Sequence, residues 1–440
     1  MGRIFHISII GALLFCVTHF SLSAQDSNFV RKHITQLGSP EMYGRGNCYG
    51  GELKAAEYIR KELAALHAMP LAENGFQKYS FKSHNMEGAV TFSINGKLLN
   101  PFDDYRIAPF SHSLHQQTPI IRVSAKILLS DDALENFRQK NKEVLYNSVV
   151  YIDAVHLQCK DENNIKQLQK AIRSLEYNNP FQSAGILIGV DALPVWGLSN
   201  NDYERNYALI YVKQDLIRKK IKTAYIDFTN DFITKQTQNV CFAFEGTTVP
   251  DSFVVLTAHY DHLGCMGDSV IFPGVHDNAS GVAAVLDFAR YFEQNPPAYT
   301  TVFLLFSGEE SGLKGSNYFE KNPLFPFDKV KLLINLDMFC GGNDGIMVVN
   351  AQSENTKPFY DKMLIINEKN HFVTDVKQRP NAANSDHYPF SAHCPAIFIY
   401  VLGGRSGGYH NYTDTCANCS LDAYEGIFKL ISSLISDLSL

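Results

Sequence analysis

The stretches 253-FVVLTAHYDHLG-264, 272-FPGVHDNASG-281 and 302-VFLLFSGEESG-312 decide the reading of this chain. Two runs rich in Val, Leu and Phe each break off into a cluster of His, Asp and Glu, and an amphipathic segment, Ser280 to Gln294, lies between them. This is the pattern of strand, loop, helix, strand, with metal-type ligands at the carboxyl end of each strand. In open α/β sheets that edge is where sites form, because the loops converge there.

Working outward, the segments downstream alternate in the same way. SGLKGSNYFEKN reads as a short helix stopped by Pro323, and KVKLLINLDMFCGG as a buried strand with Asp337 near its end. KPFYDKMLIINEKNHF reads as a helix, AIFIYVLGG as a strand and SLDAYEGIFKLISSLISDL as a closing amphipathic helix. Two His-bearing loops, NSDHYPF and YHNYTDT, lie among these last elements. Upstream, Asp26–Leu37 and Glu52–Leu66 have helical apolar periods, Phe76–Phe81 and Gly88–Ile94 alternate as strands, and Asn95-Gly96 is a hairpin turn. From about 104 to 222 strand-like and helical runs alternate without clustered chemistry, which predicts an inserted lid domain between 25–103 and 223–440. Its tryptophan, Trp196, is expected in the core.

With 45% apolar and 19% charged residues over 440, the chain is built to bury a core, and its formal charge of −6 offers no basic field for nucleic acid. Arg3, the apolar run ISIIGALLFCVTHF and SLSAQ predict an export signal over 1–24, cleaved after Ala24. An uncleaved anchor and a lipoprotein box at Cys16 are the alternatives, and Phe15 stands against the latter. The mature chain is expected to be periplasmic or secreted, with no stable membrane span. Eight cysteines would then remain, whose pairing the sequence leaves open. Cys416-Ala-Asn-Cys419 has metal-hook spacing, but without a second such pair it reads better as a disulfide or two thiols.

The candidate chemistry rests on His259, Asp277, Glu310, Asp337 and a late histidine, either His387 or His410. Carboxylates gathered at one sheet edge repel one another and resist burial unless cations accompany them. Two imidazoles and three carboxylates suit two zinc ions with one carboxylate shared; Mn2+ or Co2+ are possible substitutes. Asp261, two residues beyond His259 on a presumed strand, would accept the other ring N–H of His259. Glu309 and Glu310 are adjacent and would point in opposite directions, so that one could bind metal while the other faced a water held between the ions as general base.

The order HYD, HDNASG, SGEESGLKGS, NLDM, YHNYTDT, with GRGNCYGGELKAAEYI near the start, resembles the co-catalytic zinc aminopeptidase family, whose relatives include bacterial leucyl-type aminopeptidases, glutamate carboxypeptidases and glutaminyl cyclases. The resemblance implies an α/β, three-layer, phosphorylase/hydrolase-like zinc exopeptidase core with a mixed central sheet. It implies one zinc on His259, Asp277 and Asp337 and a second on Asp277, Glu310 and His410. It further implies Glu309 as base, Tyr409 as an oxyanion donor, Asp386 and His387 in the wall around a peptide substrate, and a cis bond at Asp277–Asn278. The insertion, through AGILIGVDALP and YALIYVKQDL, resembles a protease-associated domain. An exported aminopeptidase follows. The rival readings are glutaminyl cyclase, opposed by Tyr409 and SGEE, and a binding protein without catalysis, opposed by the complete ligand set.

Overall fold

A computed structural model describes residues 26–157, 161–200, 203–217, 221–404 and 408–438. The expected leader, with Cys16 and Ala24, lies outside the described residues, as does Cys159. No helix among the described residues is long and apolar enough to cross a membrane.

The structure is a mixed α/β fold with two sheets. The larger one runs in the order Met69–Pro70, Asp231–Phe244, Tyr299–Phe306, Val249–His259, Val330–Leu336, Ala396–Val401, Ile346–Val349, Val376–Arg379, with Phe76–Asn85 paired to Asp231–Val240. Its centre, from Tyr299–Phe306 to Ala396–Val401, is parallel. Both faces of that centre are covered, so the strands are continuously apolar. Val254, Leu256 and Ala258 pack with the helices Ser27–Leu37, Gly51–Ala65, Ser280–Gln294, Lys357–Asn370 and Tyr424–Asp437. Val255, Val302, Leu304 and Leu333 face the other way, against Phe319, Phe325 and Phe390. The result is a three-layer stack, and the helix expected over Ser280–Gln294 occupies those residues.

The smaller sheet extends past the segment 104–222 on both sides. It takes strands from Thr91–Ile94 through Thr223–Phe228, so it begins upstream of residue 104 and ends beyond 222. The Asn95-Gly96 turn was placed correctly, but the hairpin it closes, Ser93 opposite Leu98, belongs to this second sheet. Both turn residues have positive φ, 49° and 80°, as a two-residue hairpin turn requires. Local pattern gave the strands but not their sheet, because sheet membership is set by long-range pairing.

The loop after His259 joins the two sheets. Leu263, Met266, Val270 and Phe272 are buried in one cluster with Phe92, Tyr105 and Trp196. Trp196 is in the core as expected: its ring stacks on Phe272 with centroids 4.8 Å apart, and Nε1 donates to the Ile107 carbonyl at 2.7 Å. Cys48 and Cys265 form a disulfide across this junction, whereas Cys416 and Cys419 are free thiols. Replacing both Cys48 and Cys265 by Ser should lower the unfolding free energy by about 2–4 kcal/mol. Denaturant titration of the oxidised protein measures this, and an unshifted midpoint would show that the crosslink contributes nothing.

Candidate metal centre

The three central parallel strands end in register. His259 is the last residue of its strand and pairs with Phe306, after which the chain turns through Ser307-Gly308-Glu309-Glu310. Asp337 follows Leu336 directly. Asp277 sits in the turn before helix Ser280–Gln294, next to a cis peptide bond at Asp277–Asn278. His410 comes from the loop after Ala396–Val401.

These side chains converge. His259 Nε2 lies 3.3 Å from Asp277 Oδ1 and 3.2 Å from Asp337 Oδ1. His410 Nε2 lies 3.3 Å from Asp277 Oδ2 and 3.1 Å from Glu310 Oε2. The two oxygens of Asp277 therefore face different histidines. His387, the other candidate for the last ligand, is elsewhere: it is fully buried with both ring nitrogens unpartnered and its ring 5.5 Å from that of Phe398.

Residues 239–435 match the model of peptidase family M28. That match covers somewhat less than half of the chain and marks the segment as similar to this family. A probable zinc metalloprotease of Pyricularia oryzae is 40% identical over 82 residues, 18% of this chain and 16% of that protein. A probable leucine aminopeptidase 2 of Aspergillus oryzae is 26% identical over 201 residues, 43% of this chain and 37% of that one. The chain thus spans well under half the length of these curated relatives. Among solved structures, a zinc aminopeptidase from Bacillus subtilis superposes with a TM-score of 0.66 at 18% identity, covering 93% of this chain and 95% of that one. An aminopeptidase from Aneurinibacillus sp. strain AM-1 gives 0.62 at 17%, covering 94% and 93%. At such identity the likeness is one of fold.

Several supports of the site were not foreseen. Arg45 is fully buried and donates to the carbonyls of Tyr260 at 2.9 Å, Leu37 at 2.9 Å, Pro273 at 2.6 Å and Gly274 at 2.6 Å. It pins both ends of the loop that carries the chain from His259 to Asp277. Burial lowers its pKa only to about 10, so it stays charged. Gly46 beside it allows backbone to meet backbone, since a Cβ there would lie 2.5 Å from Gly264 Cα. Asp414 accepts the amides of His276 at 2.9 Å and Asp277 at 3.2 Å. The one signal in the sequence was the cluster of glycines around Arg45 and the Asp in YHNYTDT.

His262 was also missed, although HYDH places it three residues after His259. It is fully buried, its Nδ1 is 2.7 Å from Glu310 Oε1, and its Nε2 has no partner. His262, Asp277 and Glu310 have ligand atoms within 4.8 Å of one another, as do His259, Asp277 and Asp337. Glu310 is thus held between two imidazoles, His262 on one oxygen and His410 on the other.

Three expectations need correction. His259 Nδ1 is 3.1 Å from the main-chain carbonyl of Asp261 and 3.7 Å from its carboxylate. The strand ends at His259, so the alternation that predicted a side-chain contact no longer applies. The Asp261 carboxylate instead accepts the amides of Glu309 at 3.1 Å and Glu310 at 3.3 Å. Those glutamates are in a tight turn closed by Gly312 N–H on Glu309 O at 2.8 Å, not in an extended segment. Asp386 and His387 have no solvent-accessible surface, which removes them from a substrate wall; Asp386 accepts from Ser316 Oγ at 2.5 Å behind the site. Tyr409 is 57% exposed and stacks on the His410 ring at 3.7 Å.

The donor set fits divalent cations. His410 Nε2 lies between two carboxylate oxygens, and the buried Nε2 of His262 has no partner, a rare state for a buried nitrogen. Without metal, protons compensate the crowded carboxylates. Burial opposes charge on His410, but Glu310 and Asp277 outweigh it and raise its pKa to about 11. His259 is likewise buried, and Asp337 and Glu309 hold it well above its ordinary value. At pH 7 the metal-free site therefore carries protons on nitrogens that a metal needs. Zinc uptake should release protons and weaken as pH falls. Calorimetric titration at pH 7 in buffers of different ionisation enthalpy reads this, and a heat independent of buffer would refute it.

Proposed function

We propose that this chain is an exported metallo-aminopeptidase holding two zinc ions. His259, Asp277 and Asp337 would hold one and Asp277, Glu310 and His410 the other. The observation that carries this reading is the split of Asp277, one oxygen toward each histidine. When bound, such a pair supplies Lewis acidity that activates water and polarises a carbonyl at neutral pH. The Cys48–Cys265 disulfide agrees with an oxidising, extracytoplasmic compartment.

Glu309 is suited to move the proton. Burial raises its pKa, the charge of His259 opposes this, and Glu310, Asp386 and Asp337 add to it, leaving it well above the usual carboxylate range. A carboxylate so tuned takes a proton from the attacking water and returns it to the departing amine. Asp261 fixes the turn, so Glu309 and Glu310 keep separate tasks. The exposed phenol of Tyr409 beside His410 is free to donate to the oxyanion that develops on the scissile carbonyl. Peptides with a free N-terminus are the substrate class.

Glu309→Gln should keep its zinc and lose about 10²–10⁴-fold in kcat on aminoacyl-nitroanilides. Wild-type turnover in the metal-loaded variant would overturn the assignment. The wild-type enzyme should also stop on chelation and leave N-acetylated substrates intact; equal cleavage of blocked and free substrates would exclude an aminopeptidase.

A further inference from the structure

The second sheet contributes to the metal centre itself. His410 Nδ1 lies 2.9 Å from the main-chain carbonyl of Trp196, a residue between the strands Gly185–Val190 and Ala208–Lys213 of that sheet. A carbonyl only accepts, so the ring proton of a neutral His410 must sit on Nδ1, and Nε2 is left with its lone pair toward Asp277 and Glu310. We propose that Trp196 is a positioning residue for the second cation: its carbonyl selects the tautomer and the ring angle of His410. The inference rests on the two-zinc reading above.

The rest of the segment is built to hold that carbonyl still. The Trp196 ring is clamped between its stack on Phe272 and the bond from Nε1 to Ile107. Arg106 donates to the Pro194 carbonyl and lies over the Phe102 ring at 3.9 Å. Gly197, the next residue, also lies against the imidazole, with room for an ordinary Cβ contact at 3.5 Å from Nδ1. Asn200 packs on Gly312, where a Cβ would lie 3.2 Å from the Asn200 Cγ, so the same segment braces the turn that presents Glu309 and Glu310. His410 itself has φ of 53°, an uncommon backbone for a residue with a Cβ, held by these contacts. Among the described residues nothing comparable touches His259, whose Nδ1 is satisfied from its own loop. The two cation sites therefore differ in kind: one is complete within the larger sheet and the other is closed by the smaller.

The test is zinc affinity, read by competition with a chromophoric chelator. Trp196→Ala should weaken one of the two zincs by about 10–100-fold, the usual effect of losing a partner behind a metal ligand, and leave the other as in wild type. Trp196→Phe, which keeps the stack on Phe272, should retain most of that affinity. Equal affinities in wild type and a folded Trp196→Ala variant would overturn the inference alone. A wild-type chain that takes up no zinc would overturn the two-zinc reading and this inference together. Should the alanine variant not fold, nitrogen-15 spectra of the zinc-loaded wild type still decide. A proton on His410 Nδ1 with metal on Nε2 supports the assignment, and the reverse tautomer sinks it.

Discussion

Like charge crowded into a dry sheet edge is the constraint on which this structure depends. Asp277, Glu310 and Asp337 lie within reach of two histidines at the ends of three parallel strands, with Glu309 and Asp386 close enough to be felt. Such a group is stable only with compensating cations. The buried Arg45 bonds main-chain carbonyls but stays charged, and so offsets part of this repulsion. The rest of the burden falls on imidazoles that can bind protons or metals.

Precision in the site comes from backbone more than from side-chain pairs. Asp261 and Asp414 each take two consecutive amides, and in doing so fix the turns that present Glu309, Glu310 and Asp277. Arg45 works in the opposite sense, donating to carbonyls at both ends of the loop between His259 and Asp277. None of the three is exposed. They hold the acidic residues apart at fixed spacing, Glu309 and Glu310 included although these two are adjacent in the chain.

How much of this could be read beforehand depends on range. The strand-to-helix unit from Phe253 to Gly312 was legible because its periodicity is local and its polar breaks are abrupt. The convergence of His259, Asp277, Glu310, Asp337 and His410 was legible too, through the motif order. His262 lay inside a quoted motif and was overlooked, since nothing local shows that a loop histidine turns inward. The Asp261 contact was misread because strand alternation was extended past the strand's end. The burial of Asp386 and His387 follows from a loop folding beneath Phe398, a tertiary event without a sequence period. Sheet membership of Thr91–Ile94 and Thr223–Phe228 was hidden for the same reason.

The matched region begins at residue 239, past the middle of the strand Asp231–Phe244, whose residues Asp231–Val240 are zipped to Phe76–Asn85. A fragment cut there would lose half a strand and the partner that guards its edge. It would also bare Leu263, Met266, Val270 and Phe272, the wedge that the smaller sheet covers. The edge of that match is not a limit of independent folding.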